Sequence, residues 1–264
     1  MISTILNHLP QRNRFERIWK IGQVEFRKTF YNDKLGILWA LLNPLLRLSI
    51  YYLAFAVIIK RVSEGIPNFA LFVFSGLIFW MEFTKTLKKG MKILQKKRYL
   101  IEYIKINKID LFLSLVVAST LAFLFNLIIY ILLSALLGIK FSINICILPV
   151  LIINVYLITI GLSMILSVLY LVVRDIEHLV DILLLLGFWI SGIFFPAKIL
   201  YTQFPLLYYF NPFLGILDNV RSVLVYNNDI DYIILNINLL SGIGVFIIGY
   251  KFLTKYSQKA FEYL

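Results

Sequence analysis

The chain has 264 residues, of which 61% are hydrophobic and 15% charged, and 26 Lys and Arg against 14 Asp and Glu give a formal net charge of +12. That much apolar matter, gathered into long runs, excludes an ordinary water-soluble domain. The positive charge does not point to nucleic acid, because the cations lie between the runs and no polar segment is long enough to build a binding groove.

A helix needs roughly 20 mostly apolar residues to cross about 30 Å of hydrocarbon. Six stretches qualify: Leu35–Ile59, Ile66–Phe83, Ile109–Leu137, Ile145–Val172, Leu179–Leu200 and Ile233–Leu253. Ahead of them, residues 12–31 place Phe15, Ile18, Trp19, Gly22, Phe26 and Phe30 at helical spacing, with Arg14, Arg17, Lys20, Arg27 and Lys28 over the remaining surface. A basic amphipathic helix of this kind lies in the membrane interface. It serves as an anchor or as a lever against a cytoplasmic partner.

The first span contains Asn43-Pro44 and, one turn on, Arg47. Proline inside a helix removes a donor and predicts a kink. An arginine inside a span needs a partner, a wet cavity, a subunit interface or a headgroup within reach. After the second span, residues 85–108 form the longest cytoplasmic loop, too polar to cross. Met91, Ile93, Leu94, Tyr99, Leu100, Ile101, Tyr103 and Ile104 give it enough apolar side chains for a short helix lying against another surface.

The region 187–232 breaks the run of smooth helices. Pro196, Pro205 and Pro212 interrupt it, and pieces such as Phe213–Val225 are apolar but too short to cross. Runs of that length are commonly re-entrant or interfacial. The region is also unusually aromatic. Phe195, Tyr201, Tyr208, Tyr209 and Phe213 read either as an interfacial belt or as a gate whose rings contact a passing substrate.

Charge sets the orientation. Twenty Lys and Arg lie before the first span (Arg12 to Lys34), after the second (Lys85 to Lys108), after the fourth (Arg174) and in the tail (Lys251, Lys255 and Lys259). Five lie in the alternate loops: Lys60, Arg61, Lys140, Lys198 and Arg221. The positive-inside rule therefore puts both termini in the cytoplasm, which an even number of spans satisfies. The same cations meet anionic membrane lipids.

The chemistry of an enzyme is missing from the sequence. Cys146 is the single cysteine, and His8 and His178 lie far apart, so neither a disulfide nor a His/Cys metal site is expected. No cleavable signal peptide is expected, the first span serving as insertion signal. The GVFIIG run at residues 244–249 lacks the Lys-Ser/Thr of a phosphate-binding loop and lies inside the last span. No HExxH or GxSxG occurs. Acids inside the spans are few, Glu82 and Asp110 lying near a membrane edge. Ion-coupled carriers place such groups midway through the bilayer, so energy for uphill movement is expected from a partner.

Four local sequences now carry a resemblance. The first is Phe26-Arg27-Lys28, Leu35-Gly36-Ile37-Leu38-Trp39 and Asn43-Pro44; the second is Ser75-Gly76-Leu77-Ile78-Phe79-Trp80. The third is Arg174-Asp175-Ile176, and the fourth is Phe195-Pro196, Asn211-Pro212 and Arg221. In this order along nearly the whole chain they resemble the membrane subunit of a type-2 ABC exporter. The likeness is greatest to permeases for lipid-linked polysaccharides such as O-antigen, capsule or wall teichoic acid. The Ile104-Lys105-Ile106-Asn107 stretch lacks the Phe-Pro pair that often enters that family's third span, and Arg47 has no counterpart in the motifs.

The resemblance implies an all-α polytopic protein with six transmembrane helices, an N-terminal interface helix and short re-entrant helices between spans five and six. It implies one membrane domain: a cytoplasmic interface segment over 1–34, the spans over 35–253 and a tail over 254–264. The protein would be a homodimer in a bacterial cytoplasmic membrane, working with two copies of a cytoplasmic ABC ATPase. No cofactor would bind this chain, ATP and Mg being held by the ATPase. A coupling helix within Met91–Lys105 and the interface helix would meet that ATPase, through Arg17, Lys20, Tyr99, Leu100 and Ile101. Gly36, Trp39, Pro44, Arg174, Asp175, Pro196, Pro212 and Arg221 are the motif positions. The cargo would be a lipid-linked glycan, whose apolar ring faces suit the flat, polar-tipped aromatics of the broken region. A drug or small-lipid exporter on the same fold, a lipid-carrier glycosyltransferase and a passive channel are the competing functions.

Overall fold

The computed structural model describes residues 13–31, 36, 38–58, 66–139, 143–204, 208 and 211–262. Among them there is no strand. Helix α1 spans Arg14–Tyr31, and α2 spans Leu38–Tyr52 and runs into a π turn at Leu53–Ile58. Helix α3 covers Phe69–Met91, followed by two short helices, α4 (Ile93–Lys96) and α5 (Arg98–Glu102). Helix α6 is Lys108–Leu136; a 3-10 turn at Ile143–Ile147 leads into α7, Leu148–Val172. Then come α8 (Ile176–Ile190), α9 (Ala197–Gln203), α10 (Pro212–Arg221) with a π turn at Ser222–Tyr226, and α11 (Tyr232–Phe261).

Among the described residues, five segments are long and apolar enough to cross a bilayer: Leu41–Ile58, Phe69–Met91, Lys108–Leu136, Ile143–Val172 and Tyr232–Phe261. The stretch expected as the fifth span, Leu179–Leu200, is organised differently. Its helix α8 has 15 residues, about 22 Å of rise, and stops at Ile190. Ser191 closes it by donating its N–H to Gly187 O, and Gly192 follows with φ +71°. A left-handed glycine just past the last turn is a strong helix stop. Hydropathy does not register it, because the apolar run continues through Ile193-Phe194-Phe195.

Helix α3 is the centre of the molecule, with 78% of its apolar window buried, whereas the window of α2 is 6% buried. An apolar helix left uncovered by its own chain must meet lipid or another chain. The outward face of α8, with Leu179, Ile182, Leu183, Leu186 and Trp189, is equally bare. Helices α7 and α11 pack closest. A Cβ built on Gly249 would lie 2.2 Å from Gly161 O, and one on Gly161 would lie 2.6 Å from the Val245 carbonyl carbon. Small residues that let backbones touch are the usual device where lipid offers no hydrophobic drive for association.

Two large apolar clusters and a small one (Ala197, Tyr208, Leu214 and Ile234) follow among the described residues. One surrounds α3 and α10 and includes Phe72, Phe74, Phe79, Tyr130, Ile216, Leu217 and Leu224. The other joins α1, α4 to α7 and α11 through Ile21, Leu94, Leu100, Leu111, Phe112, Met164 and Leu253.

Candidate functional site

The elbow between α3 and α6 is built on buried anchors. Leu94 and Leu100 are buried in the second cluster, and Ile101 packs partly against it. The Ile106 N–H donates to Leu100 O at 3.1 Å, closing the loop. Lys105 takes φ +54° to turn the chain, and Asn107 caps α6 by accepting from the Ile109 N–H at 3.2 Å. Opposite the anchors, Tyr99 and Ile104 are exposed and Tyr103 is 84% exposed. Of the residues expected to meet a partner here, Tyr99 faces outward and Leu100 inward. Tyr103 is the largest apolar surface on the elbow, and sequence reasoning did not single it out. It was counted among the apolar residues of the loop, and it sits just past the end of α5.

Helix α1 is strapped to this elbow. Asp110, fully buried in the first turn of α6, receives Arg14 Nε and Nη2 at 2.8 Å on Oδ1 and Arg17 Nη2 at 2.8 Å on Oδ2. The N-terminus of a helix adds its own favourable field at that carboxylate. Glu25 pairs with Lys97 at 3.1 Å, and Lys89 Nζ donates to Thr29 Oγ1 at 3.1 Å. Burial alone would raise the Glu25 pKa, but Lys97, Lys28 and Lys89 outweigh it and the net shift is downward. Burial pulls the Lys97 ammonium down, with Glu25 opposing. Arg17 thus serves as an internal strut. Lys20 pairs with Glu16 at 2.7 Å on the outer surface.

The elbow also reaches α8. Lys92 pairs with Glu177, and Lys88 with Asp181 at 2.7 Å. Arg174 and Asp175 form the exposed turn between α7 and α8, whose backbone carbonyls accept from the N–H groups of Glu177 and His178. They stop one helix and start the next.

The turn after α8 is held by Arg221, which is only 1% exposed. Its Nη1 donates to Gly192 O at 2.7 Å and reaches Phe195 O at 3.5 Å; its Nη2 donates to Ile193 O at 2.8 Å. The guanidinium carbon sits 3.5 Å from the centre of the Phe72 ring. Gly76 leaves room for this group, since a Cβ there would fall 2.9 Å from Arg221 Nη2. The Ser75-Gly76 motif and Arg221 are therefore two halves of one contact. Arg221, counted by sequence among loop charges, is a core residue. Asn211 and Pro212 start α10, Asn211 Oδ1 accepting from the Phe213 N–H at 3.1 Å.

The aromatics of this region are mostly internal. Phe213 packs on Phe83 at 4.5 Å and Trp80 at 5.1 Å between ring centroids. Tyr208 is buried and donates to Asp218 Oδ2 at 3.3 Å. Phe195 is half-buried beside Pro196, which precedes α9. Tyr209 and the side chain of Tyr201 lie outside the described residues.

An open groove of about 570 Å³ runs between α2, α3 and α8, lined by Arg47, Tyr51, Trp80, Lys85, Lys88, Asp181, Phe188 and Trp189 among others. A second recess of about 300 Å³ shares Arg47 and Lys85 and adds Trp39, Asn43, Pro44, Glu82 and Asn126. Glu82 is buried, and the Thr86 and Tyr156 hydroxyls donate to its Oε1 at 2.9 and 3.0 Å. Of the motif residues, Trp39 and Pro44 thus face the recess. Gly36 turns the chain ahead of α2 with φ +50°, its carbonyl accepting from the Trp39 N–H. Among the described residues, no group of three or more His, Cys, Asp or Glu could hold a metal.

Residues 16–225 match the model of the ABC-2 type transporter family. The chain belongs to that family of transporter membrane subunits. It is 25% identical over 251 residues to an O-antigen export system permease protein RfbA of Klebsiella pneumoniae, covering 95% of each chain. An O-antigen export system permease protein RfbA of Myxococcus xanthus is 26% identical over 203 residues, 76% of this chain and 77% of the relative. The polysialic acid transport protein KpsM of Escherichia coli is 25% identical over 202 residues, 76% of this chain and 78% of the relative. An ABC-2 subunit explains the elbow, the strapped interface helix and the broken outer segment as parts of one transport domain.

Proposed function

We propose that this chain is the membrane subunit of an ATP-driven exporter that moves a lipid-linked polysaccharide across a bacterial cytoplasmic membrane. The observation that carries this reading is the similarity to O-antigen export permeases over 95% of both chains. Two copies form the pathway, and two copies of a separate ABC ATPase supply the energy. Both termini face the cytoplasm, as the distribution of Lys and Arg supports.

The elbow is the ATPase contact, with Tyr99, Tyr103 and Ile104 as its outward surface. Movement imposed there passes to α1 through Glu25–Lys97, to α6 through the buried anchors and to α8 through Lys92–Glu177 and Lys88–Asp181. Helix α8 ends at the turn that Arg221 grips, so a tilt of α8 works directly on the outer segment. The uncovered faces of α2 and α8 are where the second copy and lipid meet this one.

The test is a strain lacking this chain. Surface polysaccharide is lost, lipid-linked glycan accumulates on the inner leaflet, and both are restored by the wild-type chain together with its ATPase. Unchanged surface glycan with altered resistance to a small hydrophobic compound would replace the polysaccharide reading with a drug exporter.

A further inference from the structure

Arg47 is an exposed guanidinium within an otherwise apolar helix. Among the described residues neither Arg47 nor Lys85 has an ion-pair partner, and together they line both the groove and the recess. Lys88 completes the cationic group and is held by Asp181. Lys85 lies six residues before the end of α3 and Arg47 nine residues after the start of α2. At 1.5 Å per residue, both sit about 9–14 Å from the helix ends that the charge pattern places in the cytoplasm. That is the inner edge of the headgroup layer. Beyond them the walls turn apolar and aromatic, through Leu184, Leu185, Phe188 and Trp189. On the polar side the recess offers Asn43 and Asn126, and Asn126 Oδ1 has no partner. The carboxylates that face the cations are Asp181, already engaged by Lys88, and the buried Glu82.

A cationic floor at headgroup depth under an apolar, side-open wall matches one kind of molecule. It is an amphiphile with phosphate at its head and a hydrocarbon chain that stays in the bilayer. We infer that the groove between α2, α3 and α8 is the entry site for the phosphorylated lipid carrier of the exported glycan, with Arg47 and Lys85 as its phosphate ligands. This rests on the exporter reading and adds the part of the cargo that the membrane subunit grips first. Arg47 supplies a planar, bidentate fork for phosphate oxygens and Lys85 a point charge beside it. Trp80 and Trp189 then flank the linkage to the first sugar.

Three of the four tryptophans, Trp39, Trp80 and Trp189, line the groove or the recess, so binding is read by intrinsic fluorescence. The wild-type chain in phosphatidylcholine nanodiscs is titrated with farnesyl diphosphate, farnesol or inorganic pyrophosphate. Farnesyl diphosphate gives a saturable change, and the other two bind at least about tenfold more weakly. The double variant Arg47→Gln/Lys85→Gln loses at least about tenfold in affinity, and Arg47→Lys/Lys85→Arg, which keeps both charges, binds more tightly than the Gln variant. Equal binding by the Gln double variant overturns the site. Equal binding of inorganic pyrophosphate overturns the lipid as its source. Displacement of the probe by an equal concentration of phosphatidylglycerol overturns a dedicated carrier site in favour of bulk lipid. Glycan export by the wild-type chain, measured in parallel, separates these failures from failure of the exporter reading itself.

Discussion

Changing Arg221 to lysine or methionine tests whether the turn after α8 is held from within. The wild-type guanidinium makes two short bonds, to Gly192 O at 2.7 Å and Ile193 O at 2.8 Å, and a longer one to Phe195 O. Hydrogen bonds inside membrane proteins average about 0.6 kcal/mol and reach about 1.7. The two short, charge-assisted bonds therefore contribute about 2–3 kcal/mol together. A desolvated cation over an aromatic face adds about 2 kcal/mol. Against this stands the cost of burying the charge, which both variants treat differently. Lysine keeps the cost, cannot stack on Phe72 and reaches one or two carbonyls at most. Methionine removes the cost but leaves the Gly192 and Ile193 carbonyls buried without donors, at about 1–3 kcal/mol each. Both substitutions should therefore destabilise by about 2–4 kcal/mol. The assay is unfolding in mixed micelles by tryptophan fluorescence, with thiol labelling of an Ile193→Cys, Cys146→Ser background, Ile193 being fully buried in the wild type. A double-mutant cycle with Phe72→Leu should return a coupling of about 1–2 kcal/mol. Stability within about 0.5 kcal/mol of wild type for both variants, with position 193 still protected, would refute the reasoning.

Asp110→Asn should release α1, because two arginines lose a fully buried carboxylate. Since Arg14 is half exposed, the loss is about 2–4 kcal/mol, read as faster amide exchange over residues 14–31 with α7 and α11 unchanged. Gly249→Ala forces backbones apart where a Cβ would lie 2.2 Å from Gly161 O, and should cost about 1–3 kcal/mol or more in the same unfolding assay. Protonating Glu25 should undock α1 from the elbow. Its pKa is lowered on folding, so its contribution is full above the unfolded value of 4.5 and fades as pH falls through the depressed one. The protection factors over α1, corrected for the intrinsic pH dependence of amide exchange, should therefore be flat from pH 7 to 5, and Glu25→Gln should abolish the loss of protection seen below that. Replacing Tyr103 and Ile104 with Ala should leave the fold intact and uncouple ATP hydrolysis from export, whereas Leu100→Ala should lower stability by about 2–5 kcal/mol.

Periodicity and charge were enough to read the helices, because both act within one segment. The interface helix expected over residues 12–31 is Arg14–Tyr31, and the apolar elbow became α4 and α5. What needed the third dimension was pairing across the chain. Arg17 read as a contact for a partner, and its guanidinium pairs within the chain with an aspartate 93 residues away. The clue was present: Asp110 is an acid at the edge of a span in a chain whose acids are scarce there. Arg221 read as a loop charge because the topology rule counts charges and does not ask whether carbonyls surround them. The end of α8 was invisible to hydropathy, since a left-handed glycine stops a helix without making it polar. The aromatic cluster was located correctly in sequence, yet Tyr208 and Phe213 turn inward. The rings that border open space, Tyr51, Trp80, Phe188 and Trp189, come from three different helices.

The arrangement of ion pairs explains how one short elbow can command so much of the molecule. Lys88, Lys92 and Lys97 follow one another along the end of α3 and through α4, yet they bind Asp181, Glu177 and Glu25 on two different elements. Apolar contacts tolerate sliding, so a push on an apolar surface alone would be absorbed by repacking. Charge pairs anchored on neighbouring turns fix direction as well as distance. Lys88–Asp181 and Lys92–Glu177 thus tie the elbow to α8, while Lys97–Glu25 ties it to α1. The groove lies between α8 and the uncovered α2, with Lys88 both a strut of α8 and a wall of the groove. Any tilt of α8 that stretches Lys88–Asp181 changes the field at Arg47 and Lys85 at the same moment. Lys88 is thus shared between the contact of the elbow with α8 and the wall of the groove.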